Sequence, residues 1–236
     1  MHVPERRHFL LSKILLSYGP LLFQAMGQTL LLALYGLLFA CVIGMIVGIM
    51  SVLHNKPCRI IAMIFVNLIR GVPMIVLAYF IYFGVPYLFN TILKFDSVTL
   101  SALQAGTICL ALNCGAYMAE IIRAGIESVD IGQMEAARSL GLPYWRAMHR
   151  VVLPQAVRTM IPSIINQFII TLKDTSILSV IGFPELVNTA KNVVSKTFMS
   201  FQTWAIVGLM YLVVILILQQ AAKILERRLK RGRRSL

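Results

Sequence analysis

At 236 residues, with 58% hydrophobic and only 13% charged side chains, the chain is too apolar for a soluble globular domain. Several runs reach the roughly 20 residues that cross a hydrocarbon core of about 30 Å, which makes it a polytopic helical membrane protein. A formal net charge of +13 does not argue for nucleic acid, because seven of the 22 Lys and Arg stand in the last 14 positions, directly behind an apolar run. There they suit a cytoplasmic tail on anionic lipid. No extramembrane stretch is long enough for a nucleotide-binding domain, and no GxxxxGK[ST] sequence is present. The chain is therefore expected not to be an enzyme, and any ATP hydrolysis must come from another polypeptide. Cys41, Cys58, Cys109 and Cys114 lack CxxC spacing and the four histidines are scattered, so neither metal nor disulfide is indicated.

In chain order, residues 1–28 begin basic and turn apolar, like a signal peptide, but Lys13 and Gly19-Pro20 break the run. They are read as an interfacial amphipathic segment. The first span is expected over 29–53, with Ala40, Gly44 and Gly48 forming a face on which helices approach closely. The second, over 60–88, is interrupted by Asn67, Arg70, Gly71 and Pro73. An arginine at membrane depth must snorkel, pair or face protein, and Pro73 removes a backbone hydrogen bond and kinks the helix.

The third span, over 100–122, is the most polar inside, with Gln104, Thr107, Asn113 and Glu120, and has a second small-residue face at Ala111, Gly115 and Ala119. Arg123 and Arg70 are both candidate partners for Glu120. Residues 132–156 carry Glu135, Arg138, Arg146 and Arg150, too many charges to span. Gln133 to Leu140 is nevertheless rich in helix formers, Gly141 supplies a left-handed C-terminal residue, and Pro143 blocks continuation. Two turns of helix are marginal alone in water, so this one must be held by its own bundle or by a partner.

The fourth span, over 157–180, is kinked by Pro162. Asn166, Gln167, Thr171, Lys173 and Asp174 make its second half too polar for lipid, so it is expected to face protein or a water-filled path. An external connection follows, then a fifth span over 204–225 and a basic tail over 226–236. The expectation is an all-α fold of five transmembrane helices with the N-terminus outside and the C-terminus inside. Fifteen Lys and Arg then fall inside and seven outside.

Glu135-Ala136-Ala137, Gly141, and then Val151 and Leu153-Pro154 resemble, in their spacing, the cytoplasmic EAA loop of ATP-binding-cassette (ABC) importer permeases. RGVP with FIYFGVP, GAYMAEIIRAGIES and LKDTSILSVIG are similar to the permeases for polar amino acids of the histidine, arginine and glutamine type. The resemblance implies a type I importer permease fold in a prokaryotic cytoplasmic membrane. It implies a coupling helix (Gln133, Glu135, Ala136, Ala137, Leu140, Gly141, with Arg146) that docks into a cytoplasmic ATPase dimer. It also implies a second permease chain, identical or paralogous, and an external or periplasmic solute-binding protein. ATP and Mg would be bound by the ATPase, with no cofactor in this chain. Alternating access would carry an amino acid along a path at the interface of the two permeases. The candidate path residues are Asn113, Glu120, Asn166, Gln167, Thr171, Lys173 and Asp174, with Arg70, Gly71, Pro73 and Pro162 as structural breaks. Three rivals stay open: a secondary carrier, an ABC permease for another small solute, and a membrane scaffold or sensor.

Overall fold

The computed structural model describes the backbone of residues 4–95 and 97–231 and the side chains of 14–95 and 97–224. Within them the chain is almost wholly helical. The elements are α1 (Pro4–Val52), α2 (Lys56–Gly71), α3 (Met74–Tyr79), α4 (Val85–Tyr87), α5 (Ala102–Glu127), α6 (Ile131–Ser139), α7 (Tyr144–Ala147), α8 (Leu153–Asp174), α9 (Leu186–Thr197) and α10 (Ser200–Arg231). Widened π turns at Phe80–Gly84, Leu88–Ile92 and Met148–Val152 join helix to helix, and a 3-10 stretch at Thr175–Ile181 extends α8. Five stretches among the described residues are long and apolar enough to cross a membrane: Ile14–Val52, Met74–Ile92, Ala102–Glu127, Tyr144–Ile181 and Ser200–Ile224.

Several bounds differ from the sequence expectation. The interfacial segment over 1–28 is not separate where it is described; α1 runs unbroken from Pro4, with Pro20 inside it. A proline is tolerated in such a helix because neighbouring groups satisfy the freed carbonyl. The expected second span over 60–88 is broken after α2. α2 stops at Gly71 because Val72 (φ −101°, ψ 131°) is extended, the conformation a residue before proline prefers. The membrane-length stretch begins only at Met74. Residues 1–3 and 232–236, the latter in the basic tail, lie outside the described residues, as does Asp96 of the 94–97 loop.

Local signals account for the helix starts. Ser101 and Gln104 form a reciprocal box at the head of α5: Gln104 N–H donates to Ser101 Oγ at 3.2 Å, and Ser101 N–H donates to Gln104 Oε1 at 2.9 Å. Glu185 caps α9 by accepting the N–H groups of Val187 (2.8 Å) and Asn188 (2.6 Å).

The chain divides into two compact units, and each of α1, α5, α8 and α10 contributes to both. The first comprises 1–36, 74–110 and 171–218. Its core joins Ile14, Leu22 and Met26 of α1 to Leu186 and Ala190 of α9 and Ile206 and Val207 of α10. Thr29 Oγ1 accepts the N–H of Leu186 at 3.0 Å, and the Tyr211 hydroxyl donates to Glu185 Oε2 at 3.3 Å. The second unit comprises 37–73, 111–170 and 219–236. There Ala40, Cys114 and Met118 form a core with Leu37, Cys41, Ile164 and Phe168 around it. The two small-residue faces meet each other: a Cβ on Gly44 would stand 2.5 Å from Met118 Cβ, and one on Gly115 would stand 2.9 Å from Ile43. Lipid gives no hydrophobic drive to helix pairing, so this backbone approach is what the glycines contribute. Large apolar side chains stay exposed on α1 and α10, among them Leu38, Ile46, Val213 and Ile217, as suits hydrocarbon rather than water.

Candidate functional site

The polar segment between α5 and α8 builds a compact, self-capped surface. Asp130 caps α6 by accepting the Gly132 N–H at 2.6 Å. At the other end Gly141 (φ +85°) turns the chain back. Its N–H donates to Arg138 O at 2.9 Å and the N–H of Leu142 to Ala137 O at 3.2 Å, a Schellman closure that only glycine adopts without strain. Both helix ends are thus satisfied within the chain. Ala137 is buried against the segment, whereas Gln133, Glu135, Ala136, Gly141 and Arg146 are exposed.

What a self-sufficient polar helix does not need is greasy exposure, yet Leu140 is 85%, Ile131 74% and Trp145 63% exposed. Ile131 and Trp145 were not singled out by sequence; both look like ordinary apolar residues until their burial is known. The segment is tied to its own unit by Gln155 Nε2 donating to Gln133 Oε1 (3.3 Å), by Ser128 and Thr159 hydroxyls at 3.4 Å, and by His54 meeting Tyr144 edge-on at 5.5 Å. A push on α6 or α7 therefore reaches the end of α5, the start of α8 and the α1–α2 turn.

A second polar centre lies between α2 and α5. Arg123 donates through Nε and Nη2 to the two oxygens of Glu120, and through Nη1 to Glu127. Arg70 Nη1 stands 3.9 Å from Glu120, with its guanidinium over the Tyr117 ring at 4.9 Å. Both candidate partners of Glu120 are therefore present, Arg123 in full contact and Arg70 at the edge. Arg70, Glu120, Arg123 and Glu127 border a cavity of about 700 Å³.

The remaining path candidates do not form one group. Asn113 and Gln167 are buried in the second unit, and Asn166, on the same helix, is exposed. In the first unit Thr171 is buried with its hydroxyl unpartnered among the described residues, Lys173 is exposed and Asp174 half-buried. Of the breaks, Gly71 and Pro73 coincide with the end of α2, while α8 passes through Pro162 uninterrupted.

Comparison with known proteins places this arrangement. The family described as binding-protein-dependent transport system inner membrane component matches residues 40–231. The glutamine transport system permease protein GlnP of Escherichia coli K12 is 36% identical over 89% of this chain and 94% of its own. The probable glutamine ABC transporter permease protein GlnM of Bacillus subtilis is 38% identical over 87% of this chain and 91% of its own. Among solved structures, a chain of an amino acid ABC transporter crystallised with histidines superposes with a TM-score of 0.83 at 34% identity, covering 97% of this chain and all of that one. A chain of the inward-facing MetNI methionine transporter shares the fold (TM-score 0.73) at 19% identity.

Proposed function

The chain belongs to the binding-protein-dependent transport system inner membrane components, and from that premise we propose that it moves a polar amino acid, glutamine foremost. It is an inner-membrane permease with the type I importer fold. In this reading the segment from Ile131 to Arg150 lies on the cytoplasmic side and docks onto a separate ATPase, and a binding protein delivers the solute from outside. The observation that carries it is the exposed apolar trio Ile131, Leu140 and Trp145 on a segment, α6 through α7, in which α6 is already capped at both ends by its own chain. Such a surface is left for a partner.

Closure of two ATPases would pull on α6 and α7, and the ties to α5, α8 and the α1–α2 turn would pass that motion into the bundle. Two permease chains would enclose the path, and buried Asn113, Gln167 and Thr171 would meet ligand polarity along it. ATP and Mg would be held by the partner. The test is uptake of labelled L-glutamine by vesicles holding this chain, its companion ATPase and its binding protein. Uptake is expected only with ATP; uptake without nucleotide, or none for any amino acid, overturns the reading. In the same preparation Glu135→Lys or Gly141→Asp is expected to release the ATPase during co-purification while the permease stays monodisperse.

A further inference from the structure

α9 ends on a residue that does not suit its backbone. Phe198 closes the helix in the left-handed region (φ 58°, ψ 13°), its N–H donating to Val194 O at 2.8 Å. Glycine takes that position freely, and a residue with a Cβ is strained there. The corner is nevertheless well held, since the Thr197 hydroxyl donates to Val193 O at 2.8 Å and accepts the Met199 N–H at 3.3 Å. The strained turn leaves two rings uncovered: Phe198 is 89% exposed and Phe201, on the first turn of α10, 78%.

Charge at the same corner is one-sided. The face of α9 opposite its buried Ala190 and Val193 shows Lys191, Ser195 and Lys196. Lys191 donates to an uncharged group, Ser179 Oγ, at 2.9 Å, and Lys196 has no partner among the described residues. No Asp or Glu occurs from 186 to 225, and Glu185, the acid that feels Lys191, is buried. In the permease reading α9 belongs to the external side, where lysines run against the usual bias of positive charge toward the cytoplasm. Away from the corner the surface turns oily. Phe201, Trp204, Gly208, Leu212 and Leu216 are all exposed at three- and four-residue spacing along α10, whose stretch Ser200–Ile224 has crossing length. Ammonium groups, then aromatic rings, then aliphatic side chains follow the order of one lipid leaflet: phosphate, glycerol level, hydrocarbon.

We infer that the α9–α10 corner is a seat for an anionic phospholipid, its phosphate on Lys196 and Lys191 and its glycerol and upper acyl carbons against Phe198 and Phe201. An acidic face of a soluble protein would satisfy the same lysines. The unbroken passage of Phe201 into the hydrocarbon-facing stripe of α10 favours lipid. The inference goes beyond the permease reading, for it needs α10 to cross the bilayer and is indifferent to the solute carried.

Trp204 is the reporter. The full chain carrying Trp145→Phe, which leaves Trp204 as its one tryptophan, is reconstituted in phosphatidylcholine vesicles. Phosphatidylglycerol or phosphatidylcholine, each brominated on its acyl chains, is then added at equal mole fractions, and the quenching gives their relative affinity at Trp204. Phosphatidylglycerol is expected to be preferred by about fivefold or more. Lys196→Gln, at an exposed and unpartnered residue, is expected to lose most of that preference while its melting temperature in detergent matches the parent. Phe198→Gly suits the left-handed turn better than phenylalanine, so its melting temperature should not fall, whereas the preference should drop by about threefold or more. Equal quenching by the two lipids, or a preference unchanged in both variants, overturns the inference. Protection of Trp204 from brominated lipid by an acidic external binding protein assigns the corner to a protein and also overturns it.

Discussion

Glu185 shows how much one side chain can decide. It is 0% exposed, lies between two membrane-length helices, and holds the first turn of α9 by two N–H bonds. Burial pushes its carboxyl above the ordinary glutamate value, while the N–H groups of Val187 and Asn188, the Tyr211 hydroxyl and the Lys191 charge pull it down by less. A folded-state value above the unfolded one means that the group stabilises the fold most when protonated. That contribution is full below the ordinary glutamate range and is lost as pH rises through the raised value. Glu185→Gln keeps an acceptor and removes the titration. The melting temperature of wild type relative to this variant is therefore expected to fall as pH rises above the ordinary glutamate range, read by fluorimetry on detergent-solubilised protein. Glu185→Ala removes the cap at every pH and is expected to cost about 2 kcal/mol.

At the scale of elements, the pairing of α1 with α5 rests on backbone approach. Gly44→Leu would force Cβ against Met118 Cβ, which is fixed to the backbone, and Gly48→Leu would do so against Ile122. Each is expected to cost about 1–3 kcal/mol by overpacking, seen as a lower melting temperature and loss of monodispersity. Gly71→Ala, where an added Cβ meets nothing within 4 Å, is the neutral control.

These faces were legible in the sequence because small residues recur every four positions. α6 was legible as well, because Gly141 and Pro143 mark its end by local chemistry. The break before Met74 was half legible: Pro73 announces it, but hydropathy runs through and conceals that α2 is a separate element. Pro20 misled in the opposite direction, since a proline inside an apolar helix looks like a boundary and is not one. The Glu185 cap and its tie to Tyr211 could not be read at all. A glutamate 26 residues from its hydroxyl partner leaves no periodic trace. The sharing of Glu120 was hidden for a related reason, since Arg123 takes it in full contact and leaves Arg70 at 3.9 Å.

At the scale of the whole transporter, solute handling and motor handling should separate by mutation. Gln167→Leu removes a buried amide from α8 and leaves the Ile131–Arg150 surface untouched. Transport is expected to fall at least tenfold while ATPase activity in reconstituted vesicles changes less than threefold; equal losses would remove Gln167 from the path. Trp145→Ala is expected instead to loosen the ATPase and lower both activities together.

The closed ends of α6 bear on how the proposed docking would work. Because its terminal carbonyls and amides already find partners at home, a docking protein gains little by reaching for the helix tips or their dipole. What remains to be covered is oily side-chain area, so assembly should carry a negative heat-capacity change and resist added salt. Titration calorimetry at several temperatures and ionic strengths would reveal a clasp made by water leaving, with charge serving only to choose the partner.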